Sequence, residues 1–150
     1  IYEELGLSVP TTWDEFIANL EACKAAGHRV ALATNPIFPA VATESRIRWA
    51  GLAPETFAWY TTYENIGYCK PNPDYYREIL RYLDCRAEDC LMVGNDVEED
   101  MMAAQAAGLS VFLLTDCLLN RKEKDISSYR QGDFDALLAF VEEWGGEASL

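Results

Sequence analysis

The stretch Cys90-Leu-Met-Val-Gly-Asn-Asp-Val-Glu-Glu-Asp-Met-Met-Ala-Ala-Gln-Ala-Ala-Gly108 limits what this chain can fold into more than any other part of it. A short apolar run, Leu91, Met92 and Val93, reads as a buried strand that stops at Gly94. Four carboxylates come next (Asp96, Glu98, Glu99 and Asp100), then a helix of small apolar residues closing at Gly108. Parallel α/β sheets bind ligands just beyond the carboxyl ends of their strands, so acids placed there form a candidate divalent-cation seat. The i, i+4 spacing brings Asp96 and Asp100 toward one side of a first helical turn. Mg²⁺ takes one or two such carboxylates, with waters and a substrate phosphate completing its shell. The same residues also support a purely local reading. Asp96 can be an N-cap with Glu99 as its capping-box partner, the remaining acids favouring the helix dipole.

The rest of the chain supplies the frame for that stretch. Residues 1–10 have no clear period. Thr12 to Glu15 is a capping-box pattern, and Trp13, Phe16, Ile17 and Leu20 repeat at helical spacing, which predicts a helix over 13–26 with Gly27 at its C′ position. Val30 to Ala33 is a continuous apolar run, expected of a strand buried on both faces, and Pro36 ends it. A helix from about Pro39 to Ala50 comes after it, stopped by Gly51. Phe57 to Tyr63 is aromatic and β-branched, which favours a strand. Asn72 and Pro73 suit the N-cap and N1 positions of a helix to Leu83, with Tyr76, Ile79, Leu80 and Leu83 inward. Ser110 to Thr115 reads as another apolar strand and 116–132 as a long loop. Asp133 should cap a last helix with Leu137, Phe140, Val141 and Trp144 as its apolar stripe, terminated by Gly145-Gly146. Helix alternating with strand predicts an α/β fold with a parallel, doubly wound sheet.

Composition removes several functional classes. A chain of 150 residues with a net charge of −13 lacks the basic face that nucleic acid or an anionic membrane requires. It has no apolar run long enough to span a bilayer and no visible signal peptide. Its five cysteines are odd in number and show no C-x-x-C spacing, as expected of reduced thiols in a cytoplasmic protein.

Three strand exits deliver polar groups to one expected edge of the sheet. Thr34 and Asn35 end the first complete strand, Lys70 follows the aromatic one, and Asp96 and Asp100 follow the third. A hydroxyl and an amide for phosphate oxygens, an ammonium to neutralise them and carboxylates for Mg²⁺ together suit phosphoryl transfer. Each has an ordinary alternative: Thr34-Asn35-Pro36 as a turn, Lys70 as a solvated lysine.

In this order the residues resemble the core of the haloacid dehalogenase superfamily of phosphatases, a Rossmann-like fold. Val30-Ala-Leu-Ala-Thr34 matches its second motif, Lys70 its third, and the strand before Asp96-Val-Glu-Glu-Asp100 its fourth. The resemblance implies a small phosphorylated substrate and Mg²⁺. It gives Thr34 and Lys70 catalytic roles, makes Thr34, Asn35 and Lys70 phosphate-binding, and makes Asp96 and Asp100 the metal ligands.

Two departures qualify it. The fourth motif usually reads Gly-Asp, whereas Gly94 is followed by Asn95 and only then Asp96. We favour Asp96 with Asp100, keeping Asn95 as an alternative neutral ligand. The family's first motif, an apolar strand ending Asp-x-Asp-x-Thr, carries the nucleophile and is missing. The only Asp-x-Asp is Asp133-Phe-Asp135, which has no apolar strand before it and reads as a helix cap.

The sequence is therefore expected to be a piece of a longer protein. Residues 1–12 would be the remnant of a cap or linker and 13–150 the core, with its central first strand absent and the fragment inactive. An open slot lined by Val30, Leu32, Leu91 and Val93 would leave backbone groups unpaired, at about 1–3 kcal/mol each, and the isolated chain unstable. A different class of reading is a non-catalytic phosphate- or protein-binding domain on the same scaffold. His28 reads as structural or exposed, and Arg121, Lys122 and Lys124 as a solvated loop that could also meet an anionic substrate.

Overall fold

The computed structural model describes residues 29–147. The expected helix over 13–26, its C′ glycine, His28 and the segment 1–12 lie outside the described residues. The chain divides into two compact units, Ile1–Ile66 and Gly67–Leu150.

The first unit holds one parallel strand pair with a helix between its strands. Strand β1, Ala31–Leu32, runs parallel to β2, Trp59–Tyr60, in the register Ala31 to Trp59 and Leu32 to Tyr60. Flanking amides extend the ladder, from Ala58 N–H to the Val30 carbonyl at 2.8 Å and from Thr61 N–H to the Leu32 carbonyl at 3.1 Å. Helix α1, Ala40–Trp49, connects them. Pro39 stands at its N-cap and supplies no side-chain acceptor. The Glu64 carboxylate does so instead, accepting the Ala40 N–H at 2.9 Å, where a negative charge also suits the helix dipole. Thr43 and Ile47, one turn apart, are its buried residues, and the chain leaves the helix through Gly51 at φ 81°, a conformation open to glycine at no steric cost.

The second unit contains the sheet that carries the acid cluster. Helix α2, Pro73–Leu83, begins as predicted: Asn72 caps it by accepting the Asp74 N–H at 2.9 Å, and Pro73 occupies the first turn. Tyr75, Tyr76 and Ile79 are its buried residues. Tyr75 is not among the expected inward positions; Leu80 and Leu83 are only half-buried. Strand β3, Leu91–Gly94, pairs in parallel with β4, Ser110–Leu114, which pairs in parallel with β5, Gln131–Gly132. β5 lies within the stretch expected to be a loop. One polar residue and one glycine carry no strand signal, and the pairing is imposed by β4.

Between β3 and β4 the chain makes a wide π-helical turn, Val97–Met102, before helix α3, Ala103–Ala106. Helix α4, Phe134–Glu147, is capped by Asp133, which accepts the Ala136 N–H at 2.9 Å. The helix continues through Gly145-Gly146, contrary to expectation. Glycine weakens a helix by about 1 kcal/mol relative to alanine, which does not by itself end one.

The architecture is α/β with parallel strands, and among the described residues the strands form two separate sheets, of two and three strands. No described strand lies along the second edge of β3. Its four residues are all half-buried, whereas Val111, Phe112 and Leu113 of β4 are buried. Central strands of parallel sheets are covered on both faces, so a half-buried β3 is what a core lacking its central first strand presents.

Gly132 illustrates how closely α4 packs on the sheet. A Cβ there would stand 2.5 Å from the Ala136 Cβ. Gly132→Ala should therefore destabilise the protein by about 1–3 kcal/mol, the ordinary cost of overpacking. Adding Ala136→Gly should remove the clash and recover part of the loss in urea unfolding, despite the helix penalty. A double variant no more stable than Gly132→Ala would show that this contact does not limit the packing.

Candidate active site

β3 ends at Gly94, and one side chain sets the path of the backbone beyond it. The Asp100 carboxylate folds back over the strand exit. Its Oδ2 accepts the backbone N–H groups of Asn95 and Asp96, each at 3.1 Å. Its Oδ1 accepts from Lys70 Nζ at 2.6 Å. A Cβ on residue 94 would stand 2.3 Å from Asp100 Oδ2, so the close approach of this carboxylate requires glycine there.

Asp96 is the N-cap of the turn. Its Oδ1 accepts the N–H groups of Glu98 and Glu99 at 3.0 and 2.9 Å. Asp100 returns the bond to the Asp96 N–H. The pair forms a reciprocal cap, with the returning acid one residue later than in an ordinary capping box. The wide turn accounts for the shift: the Asp96 carbonyl receives the N–H groups of both Asp100 and Met101, an i+5 closure of the kind found in π-bulges.

Lys70 follows Cys69 and precedes Pro71 through a cis peptide bond. Its side chain and that of Asp100 are 7% and 8% exposed, which makes this a buried ion pair. The ammonium also stands 5.7 Å from the ring centre of Tyr75 and 6.0 Å from that of Tyr76, at cation–π range. The two rings meet edge to face, 5.0 Å apart. The Tyr76 hydroxyl donates to the Glu99 carbonyl at 2.9 Å, tying α2 to the acid turn. Burial, reinforced by the Asp100 charge, pushes the Tyr76 phenol well above its ordinary range, so it remains a donor.

A second strap crosses the acid turn from the loop after β4. Asn95 Nδ2 donates to the Cys117 carbonyl at 2.6 Å, Leu119 N–H to the Asn95 carbonyl at 2.8 Å, and Val97 N–H to the Leu119 carbonyl at 3.0 Å. Beyond this ladder Arg121 pairs with Asp96 Oδ2, and Lys122 Nζ with Glu98 Oε1 at 2.7 Å. Burial opposes ionisation of Asp96; the amide bonds from Glu99 and Glu98 and the Arg121 guanidinium outweigh it and hold its pKa below the usual carboxylate value.

Lys70, Asp96 and Asp100 thus occupy one constellation in the second unit. Thr34 and Asn35 lie in the first, where the Thr34 carbonyl accepts the Thr61 hydroxyl at 2.6 Å and the two hydroxyls are 3.4 Å apart. Sequence reasoning missed the aromatic pair around Lys70 and the partners of Arg121 and Lys122. Tyr75 and Tyr76 begin a helix that comes soon after Lys70 and are visible as candidates. The Arg121–Asp96 pair spans 25 positions and leaves no local pattern.

An α/β core whose strand exit carries a buried lysine–aspartate pair and an acid-lined turn has the make-up of a hydrolase core. The model of the haloacid dehalogenase-like hydrolase family matches residues 2–108, and the chain belongs to that family. It is 38% identical over 64 residues to a glyceraldehyde 3-phosphate phosphatase of Methanothermobacter thermautotrophicus, a match covering 43% of this chain and 28% of that protein. Among solved structures, a predicted phosphoglycolate phosphatase from Haemophilus somnus shares 22% identity at a TM-score of 0.67, covering 93% of this chain and 61% of that one. A 2-haloacid dehalogenase from Pseudomonas syringae shares 23% at 0.62, covering 85% and 51%. The chain therefore spans little more than a quarter of the curated relative and about half to three-fifths of these two structures.

Phosphatases of this family generally use Mg²⁺. Among the described residues no group of three or more His, Cys, Asp or Glu side chains forms a metal site. The oxygen donors at this strand exit are the two carboxylates of Asp96 and Asp100, a number that Mg²⁺ completes with waters and a substrate phosphate. A carboxylate oxygen can accept about two bonds. Asp96 Oδ1 and Asp100 Oδ2 each accept two amides, while Asp96 Oδ2 and Asp100 Oδ1 each accept from one protein cation. One acceptor position per acid is left, in each case beside that cation.

Removing one partner of a buried pair leaves the other charged and desolvated, at about 3–5 kcal/mol. Asp100→Ala should cost that much in denaturant unfolding, and Lys70→Met with Asp100→Leu should recover only part of it, because the Asn95 and Asp96 amides stay without their acceptor. A loss under about 1 kcal/mol for Asp100→Ala would mean the pair is solvated.

Because the folded pKa of Asp96 is depressed, its contribution to stability is present above the unfolded value of about 3.9. It is lost as pH falls through the folded value. Asp96→Asn should flatten this acid limb in urea midpoints measured from about pH 6 to about pH 2, and an unchanged slope would contradict the assignment.

Proposed function

We propose that this chain is the C-terminal core of a Mg²⁺-dependent phosphohydrolase acting on a small phosphomonoester. The observation that carries the reading is the buried Lys70–Asp100 pair at the exit of β3. An ammonium has three N–H donors. Asp100 takes one and fixes the direction of the group, leaving two to meet oxygens of a transferring phosphate. Asp100 pairs with the buried ammonium, and the rings of Tyr75 and Tyr76 stand beside it. Thr34 and Asn35 hold phosphate oxygens, and Asp96 and Asp100 hold the metal, with Asn95 as an alternative neutral ligand. Bound Mg²⁺ would supply charge stabilisation at the phosphoryl oxygens. Family membership and the phosphatase activity of the Methanothermobacter relative support a phosphorylated substrate.

Residues 13–150 make up the core in this proposal and 1–12 the remnant of a cap or linker. The Asp nucleophile of the family's first motif is absent from these 150 residues, so the chain alone should not turn over. Cys69 and Cys117 are free thiols, which suits a reducing cytoplasm. Among the described residues no helix is long and apolar enough to cross a membrane. The absent Asp-x-Asp-x-Thr also favours a second reading, a non-catalytic domain that binds phosphate or a protein.

Phosphate release from a panel of small phosphomonoesters separates the two readings, using the full-length protein with Mg²⁺ or with chelator. Lys70→Met should lower kcat by at least about a hundredfold, as removal of a charge-stabilising donor does, and chelator should abolish turnover. Metal-independent activity indifferent to Lys70 would overturn the enzymatic reading of this site.

A further inference from the structure

The strap from the loop after β4 places a protein cation on an acid proposed to hold metal. Arg121 reaches Asp96 Oδ2 across the Asn95–Leu119 ladder. The two ends of the pair differ sharply in exposure. The Asp96 side chain is 9% exposed and anchored by two amide bonds, whereas that of Arg121 is 61% exposed. An exposed guanidinium can leave its partner at little cost, because surface ion pairs are weak. The buried carboxylate cannot leave, and it keeps an acceptor position on the oxygen that Arg121 engages.

We infer that Arg121 is a tethered counter-cation that competes with the divalent metal for Asp96 and thereby sets how tightly the site loads. This rests on the metal reading proposed for Asp96 and Asp100. A dication arriving at Asp96 Oδ2 meets the positive guanidinium, and binding requires it to swing into solvent while the backbone ladder at Leu119 holds the loop in place. Lys122 on Glu98 is a neighbour of the same kind, but Glu98 has no part in the proposed metal shell. By linkage the effect is reciprocal: metal loosens Arg121 as much as Arg121 weakens metal.

The test is calorimetric titration of the full-length protein with MgCl₂ and with MnCl₂, comparing wild type, Arg121→Gln, Arg121→Lys, Asp96→Asn and the double variant Arg121→Gln/Asp96→Asn. Urea midpoints confirm that each variant is folded. Arg121→Gln should bind about fivefold tighter, the upper range for release of an exposed pair, Arg121→Lys should stay near wild type, and Asp96→Asn should weaken binding. The Arg121 Nε–H resonance, assigned by its loss in Arg121→Lys, should shift as Mg²⁺ is added to wild type. Unchanged or weaker binding in Arg121→Gln, with Asp96→Asn still impaired, overturns the competition and leaves the metal reading standing. Tightening that persists in the double variant overturns it too, because Arg121 would then not act through Asp96. Absence of binding by all five proteins overturns the competition together with the metal reading.

Discussion

The Asp100 carboxylate is the node on which the site depends. One oxygen holds the two amides that emerge from the end of β3, and the other holds the Lys70 ammonium. The strand exit, the connector before α2 and the acid turn are therefore positioned by a single buried group. A carboxylate taken from water needs compensating donors, and here two amides and an ammonium occupy three of its roughly four acceptor positions. The same requirement dictates Gly94, since a side chain there would occupy the position of the carboxylate. The wide turn between Val97 and Met102 belongs to the same arrangement, because the reciprocal cap of Asp96 and Asp100 is closed through it.

Much of this frame is legible in the sequence because it is written in local chemistry. Asn72 and Pro73 announce the start of α2, and Asp133 caps α4 as its spacing implies. The half-burial of β3 agrees with a sheet lacking its central first strand. The features not legible are those whose cause lies elsewhere in the chain. β5 is a strand because β4 offers an edge, and Gln131 and Gly132 carry no trace of it. The π-helical turn depends on where the Asp100 side chain finds donors, which spacing does not encode. α4 runs past Gly145-Gly146 because glycine lowers helix stability by a finite amount that neighbouring turns can absorb. Tyr75, beside the expected Tyr76, is buried because the two rings face Lys70 together.

Asp96 shows why two readings of one motif need not compete. The sequence allows either an N-cap or a metal ligand. The structure shows the cap, with Oδ1 saturated by the Glu98 and Glu99 amides. Capping uses one oxygen and leaves the other to be held by Arg121. A capped acid is a pre-oriented acid, and pre-orientation lowers the entropy a ligand must spend in ordering it.

Charge balance explains why the loop after β4 is drawn over this turn. The four acids between Asp96 and Asp100 are a concentrated negative patch in a chain already at −13. Extra acids at a helix start are favoured by the dipole only to about 0.3–1 kcal/mol each, which does little against the repulsion of buried neighbours. Lys70, Arg121 and Lys122 return three positive charges to that patch, leaving it near −1. They do so in unequal ways: Lys70 is buried and committed, whereas Arg121 and Lys122 are exposed and exchangeable. The turn is thus balanced by the chain's own cations. The exposed pairs are weak and exchange with solvent, whereas breaking the buried one would leave an uncompensated charge.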